Sequence, residues 1–134
     1  MSKIVILDDA VQIRNSLAVR LKAEGHDVRT ASNGAEAIDL AYLYKPDLLI
    51  TDWDLQSDYD GLEVAEAFVA SNERVKSIII SGHEEFLEVF DQVPAEDIGE
   101  KYGLIASLSK PFSLLQLVRA VRDALNDDSR RSCS

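Results

Sequence analysis

Short, almost wholly apolar runs alternate along the chain with stretches whose apolar residues recur every three or four positions. The runs Lys3-Ile4-Val5-Ile6-Leu7 and Pro46-Asp47-Leu48-Leu49-Ile50-Thr51 have the length and β-branched content of strands buried on both faces. Asp27 to Ala31, Val75 to Ile80 and Leu104 to Leu108 make three more. The second of the five alternates most clearly between polar and apolar residues, as an edge strand would. Between the strands, Ile13, Leu17 and Leu21 trace one helical stripe, and Ala35, Ile38 and Ala41 or Tyr42 another. Leu62, Ala65 and Phe68 or Val69 trace a third. Leu114, Leu117, Val118, Val121 and Leu125 give the last helix the strongest period in the chain. Regular alternation of this kind predicts a doubly wound α/β sandwich on a five-stranded parallel sheet.

Gly25 is placed to end the first helix, and Pro46 to restart the chain before the third strand. The least regular region is 81–103. There Glu84 to Val93 read as a helix that Pro94 interrupts, and Ala95 to Lys101 as an extra turn or a short second helix. A chain of 134 residues suits one domain with a real core. We place that domain at residues 1–127 and assign 128–134 to a flexible polar tail.

Asp and Glu number 24 against 14 Lys and Arg, a formal charge of −10, which argues against nucleic acid or an anionic membrane as the main partner. The one cysteine, Cys133, lies in the polar tail with no second cysteine to pair with. The chain opens on no signal peptide and contains no apolar run of membrane-spanning length, so a cytoplasmic setting is expected.

Candidate chemistry gathers at the strand ends. Asp8 and Asp9 close the first strand, Asp52 the third and Ser81 the fourth, and Lys110 follows the fifth. In a parallel sheet of this type ligands bind at the carboxyl ends of the strands, beside the point where the winding reverses. Converging carboxylates repel one another and are tolerated when a hard cation such as Mg²⁺ or a lysine offsets them. Asp52 is then positioned to attack a phosphoryl donor and form an acyl phosphate, with Lys110 pairing with the phosphoryl oxygens and the Ser81 hydroxyl donating to them. Taken singly, Ser81 reads first as a local cap, and Lys110 equally as a solvated loop charge; their joint placement favours the site.

Four motifs in order, Ile4-Val5-Ile6-Leu7-Asp8-Asp9, Asp47-Leu48-Leu49-Ile50-Thr51-Asp52, Ile78-Ile79-Ile80-Ser81-Gly82 and Ser109-Lys110-Pro111-Phe112, resemble those of a bacterial-type response-regulator receiver domain, and the likeness covers nearly the whole chain. It implies a flavodoxin-like (βα)5 three-layer sandwich. It makes Asp52 the phosphoacceptor, Asp8 and Asp9 the acidic metal pair, Ser81 the switch hydroxyl and Lys110 the lysine that senses the phosphoryl group. The resemblance also puts the backbone carbonyl of Asp54 in the metal shell, names Mg²⁺ (with Mn²⁺ as a substitute) as the cofactor, and implies a cis Lys110-Pro111 bond.

The chain departs from the family pattern in three places. The loop Asp52-Trp53-Asp54-Leu55-Gln56-Ser57-Asp58-Tyr59-Asp60-Gly61 lacks the usual proline and is one residue longer, and the Ser81-to-Lys110 segment is several residues longer. Ser107 stands where the family often has a tyrosine or phenylalanine whose rotation carries the signal outward, and a serine has no ring to pack. Output is then expected to lean on the segment holding Phe86 and Phe90, if those rings do more than fill core. Asp54 and His83 stand where side chains tune the lifetime of the acyl phosphate. Gly82 leaves room beside Ser81.

The expected function is Mg²⁺-dependent acceptance of phosphate from a phosphohistidine on a sensor histidine kinase or histidine phosphotransfer protein, followed by a change in the face offered to a downstream protein. A turnover enzyme is not expected: Asp54 supplies the acid-base aspartate of a related aspartyl phosphohydrolase, but no cap-sized insertion covers the site. A protein-interaction module of the same fold, working without phosphorylation, is the competing reading. It explains Ser107 easily and the costly charge cluster poorly.

Overall fold

The computed structural model describes residues 2–53, 59–82, 91 and 93–133, with side chains through residue 126. Five strands, β1 (Lys3–Leu7), β2 (Asp27–Ala31), β3 (Leu48–Asp52), β4 (Lys76–Ser81) and β5 (Leu104–Ser109), form one parallel sheet in the order β2-β1-β3-β4-β5. The described helices are α1 (Val11–Ala23), α2 (Gly34–Leu43), α3 (Gly61–Ser71), α4 (Ala95–Glu100) and α5 (Leu114–Cys133). The expected doubly wound parallel sandwich is the fold observed, and the amphipathic β2 is an edge strand as its sequence predicts.

Alternate side chains of the central strands feed two apolar layers, because the strand period is two. Ile4, Ile6, Leu48, Ile50, Ile78 and Ile80 point toward α1 and α5, where they meet Leu17, Leu21, Leu117 and Val121. Val5, Leu7 and Leu49 point the other way, onto Ala37 and Ala41 of α2 and Val64, Ala65 and Phe68 of α3. Both faces of the sheet are thereby covered, which is why Ile4–Leu7 of β1 and Leu48–Ile50 of β3 are unbroken apolar runs.

The inner faces of the helices are set by small residues as much as by large ones. Gly34, Ala37 and Ala41 form the buried stripe of α2, while Ala35 is exposed and Tyr42 is 57% exposed. Ile13 and Leu114, expected on inner stripes, also face outward, and Ala18 and Ala124 are buried in their helices. A helix lying flat on a sheet favours short side chains along its line of closest approach, and these positions supply them.

The helix ends follow local chemistry. Gly25, at φ +93°, closes α1: its N–H donates to the Lys22 carbonyl and that of His26 to the Leu21 carbonyl, the pairing of a Schellman cap. Asn33 caps α2 by accepting from the Glu36 N–H, and Asp60 with Glu63 forms a reciprocal capping box on α3. Of the two readings for the stretch after Pro94, the short helix is observed, as α4. The helix expected over Glu84 to Val93, with Phe86 and Phe90, lies outside the described residues except at Asp91 and Val93. The backbone of α5 stays helical to Cys133, into the stretch set apart above as a tail; residues 114–133 contain neither Gly nor Pro to stop it.

Phe68 is fully buried between α3 and the sheet. Phe68→Ala is expected to destabilise the fold by about 3–5 kcal/mol, read from urea denaturation monitored by circular dichroism.

Candidate functional site

The winding reverses between β1 and β3, neighbouring strands from which the sheet grows in opposite directions, and the candidate residues gather at their carboxyl ends. Parallel register sets its contents. Leu7 lies opposite Thr51, so Asp8 and Asp9 leave β1 beside Asp52 at the end of β3. Asp52 in turn lies opposite Ile80, and Ser81 opposite Ser109. The Lys110 N–H donates to the Ser81 carbonyl at 2.9 Å, one residue beyond the last β5 pair, which fixes the base of the lysine next to the site.

Asp8, Asp9 and Asp52 each bring a carboxylate oxygen to within 4.8 Å of the others. Asp8 and Asp52 are buried and Asp9 is exposed. Lys110 Nζ donates to Asp52 Oδ2 at 3.1 Å, an ion pair whose carboxylate is covered and whose ammonium is more open. Asp8 Oδ1 accepts from the Ala10 N–H at 2.8 Å, while Arg14 Nη1 donates to the Asp8 carbonyl at 2.9 Å. Asp8 Oδ2 is buried with no hydrogen-bond partner.

That orphaned oxygen bears directly on the chemistry. Burial raises the pKa of Asp8 above the usual carboxylate value, the Ala10 N–H opposes the rise, and the neighbouring Asp52 adds to it. With oxygens no more than 4.8 Å apart, two carboxylates repel by at least roughly 3.5 kcal/mol at an effective dielectric of about 20. An oxygen-only donor set with a buried, unsatisfied carboxylate oxygen fits a hard divalent cation such as Mg²⁺, not a soft metal that prefers nitrogen or sulfur.

Asp8, Asp9, Asp52, Ser81 and Lys110, all expected at the site, therefore lie at its strand ends, with direct contact between Lys110 and Asp52. Asp54 and His83 fall outside the described residues. The expected cis bond is present at Lys110-Pro111. Ser107 is exposed on β5. Gly82 has no packing requirement for glycine, since a Cβ there would meet nothing within 4 Å. Sequence reading missed Ala10 and Arg14, which hold Asp8 in place. For Ala10 the missed signal was an aspartate directly after a strand, the setting in which Asp accepts from the backbone two residues on.

This chain belongs to the response regulator receiver domain family, phosphoaccepting signalling domains whose sequence model matches residues 4–122. Similar proteins include the transcriptional regulatory protein PdtaR of Mycobacterium tuberculosis, 33% identical over 125 residues. That alignment covers 92% of this chain and 57% of PdtaR, so the chain spans a little over half of that relative. Sporulation initiation phosphotransferase F of Bacillus subtilis is 28% identical over 123 residues, covering 92% of this chain and 93% of that protein. Among solved structures, NtrX from Brucella abortus superposes with a TM-score of 0.83 at 26% identity, over 98% of this chain and 28% of that one. Among the described residues no helix is long and apolar enough to cross a membrane.

Because the folded pKa of Asp8 lies above its unfolded value near 3.8, its contribution to stability is full below that value and is lost as the pH rises through the folded pKa. Asp8→Asn keeps the acceptor for Ala10 and removes the charge. Without divalent cations it should raise the melting temperature at pH 7 by several degrees, about 1 kcal/mol moving a domain of this size by roughly 2–8 °C. The advantage should shrink as the pH falls toward 4. Differential scanning fluorimetry across pH in EDTA checks both.

Proposed function

We propose that Asp52 accepts a phosphoryl group from a phosphohistidine on a sensor histidine kinase or histidine phosphotransfer protein, and that the acyl phosphate changes the surface offered to a downstream protein. The observation that carries this reading is the pairing of Lys110 with Asp52 beside the unsatisfied Asp8 oxygen: a compensating cation on one side and an unfilled acidic pocket on the other. In the transfer an Asp52 carboxylate oxygen attacks phosphorus, the P–N bond breaks, and imidazole leaves with the bonding electrons and takes up a proton. Lys110 is already within hydrogen-bond reach of the attacking carboxylate and follows the new phosphoryl oxygens with its ammonium. The Ser81 hydroxyl, one strand over, donates to them.

Asp8, Asp9 and Asp52 would hold Mg²⁺, or Mn²⁺ in its place, with the backbone carbonyl of Asp54 in the same shell. When bound, that ion supplies neutralising charge to the transferring oxygens. The protein acts as a cytoplasmic signalling domain and not as a turnover enzyme on a metabolite, with residues 1–127 as the receiver unit and 128–134 as a polar tail. A phosphorylation-independent module would leave the repulsion between Asp8 and Asp52 without purpose, since replacing either with an uncharged residue would relieve it.

Incubation with acetyl phosphate and Mg²⁺ should give a single phosphoryl adduct by intact mass in the wild type. Asp52→Asn, folded by circular dichroism, should show none. An equal adduct in the variant would remove Asp52 as acceptor.

A further inference from the structure

Trp53, next to the phosphoacceptor and the only tryptophan in the chain, is held on both sides of its backbone. Its N–H donates to the Ile80 carbonyl at 2.7 Å, carrying the β3–β4 pairing one residue past Asp52. Its carbonyl accepts from the Gly61 N–H at 3.3 Å at the start of α3. Gly61 is packed so closely that a Cβ there would stand 2.9 Å from the Asp52 carbonyl oxygen and 3.2 Å from Trp53 Cα. A displacement of Asp52 is therefore not absorbed between the two residues and passes to Trp53. Close-packed groups move together.

From this anchor the half-buried indole packs on the cluster of Leu62, Ile79 and Leu104, against which Val93, Ile98 and Tyr102 also pack. One apolar patch thus joins the residue after Asp52 to α4. That helix is six residues long, with no buried residue and no side-chain N-cap. So short a helix does not stand alone in water, and its position depends on the patch that Ile98 enters. It also has room to shift. An open cavity of about 610 Å³, lined by Ala95, Glu96, Gly99 and Glu100 of the helix and by Arg74 and Leu104, lies at the opposite end of the sheet from the carboxylates.

We propose that Trp53 is a positioning residue through which phosphorylation at Asp52 resets α4, a task for which Ser107 has no ring. This rests on the phosphoacceptor reading above. In this proposal Trp53 takes no part in holding the metal or the phosphoryl group. It is instead the apolar lever between them and the helix, and the outward signal of this chain leaves by the cluster of Trp53, Ile98 and Tyr102.

The test is hydrogen–deuterium exchange over residues 95–102, with and without acetyl phosphate in Mg²⁺, alongside intact mass for each sample. In the wild type, adduct formation should change exchange there by about threefold or more, the mark of a local opening equilibrium being shifted. In Trp53→Leu the adduct should form and that response should largely vanish, and Trp53→Phe should restore most of it. Should Trp53→Leu fail to fold, Ile98→Ala interrupts the same contact from the helix side and should lose the response in the same way. Folded, phosphorylated variants that keep the wild-type response overturn the proposal, as does a wild-type adduct with no change over 95–102. Absence of any wild-type adduct, seen by mass, overturns the phosphoacceptor reading and this coupling with it.

Discussion

Repulsion between Asp8 and Asp52 is the constraint around which this molecule is arranged. Two carboxylates that sequence places 44 positions apart are brought to within 4.8 Å by the parallel register of β1 and β3, and both are buried there. Hydrophobic burial along the strands favours that register and the electrostatics oppose it. The Ala10 N–H and Lys110 offset part of the opposition, and one Asp8 oxygen is left with nothing. A fold that holds such a cluster stores a demand for positive charge at one place.

Holding it requires a rigid frame. Every central strand is buried on both faces, so sliding the register by one residue would swap the side chains that meet α1 and α5 for those that meet α2 and α3. The apolar core thus fixes the site geometry far more strongly than the carboxylates oppose it. The contrast with α4 follows from the same accounting. That helix buries no residue completely, rests on one corner of the apolar packing, and is the described element best suited to move.

Much of the frame was legible because strands buried on both faces announce themselves: Ile4 to Leu7 and Leu48 to Thr51 leave no other economical reading. The acidic residues at their ends, with Ser81 and Lys110 at the next two strand ends, carried the site. Helix faces were read less well, for a physical reason. Periodicity reading follows large apolar side chains, and so favoured Ile13 and Leu114 and left Tyr42 open beside Ala41, whereas close packing on the sheet selected Ala18, Ala37 and Ala124 and, of that pair, Ala41. The support of Asp8 by Ala10 and Arg14 depends on turn geometry that residue types only hint at. The place of Trp53 in a cluster with Leu104 and Tyr102 depends on contacts about 50 residues apart, which no local pattern encodes.

The proposed chemistry stands on a cation held by Asp8, Asp9 and the phosphoacceptor Asp52 together. Anomalous scattering from a crystal of the wild-type protein soaked in Mn²⁺ tests it most directly. One strong peak is expected between the carboxylate oxygens of Asp8, Asp9 and Asp52, removed by competition with excess Mg²⁺. Ordered carboxylates with no peak among them, or a dominant peak elsewhere on the acidic surface, would contradict it.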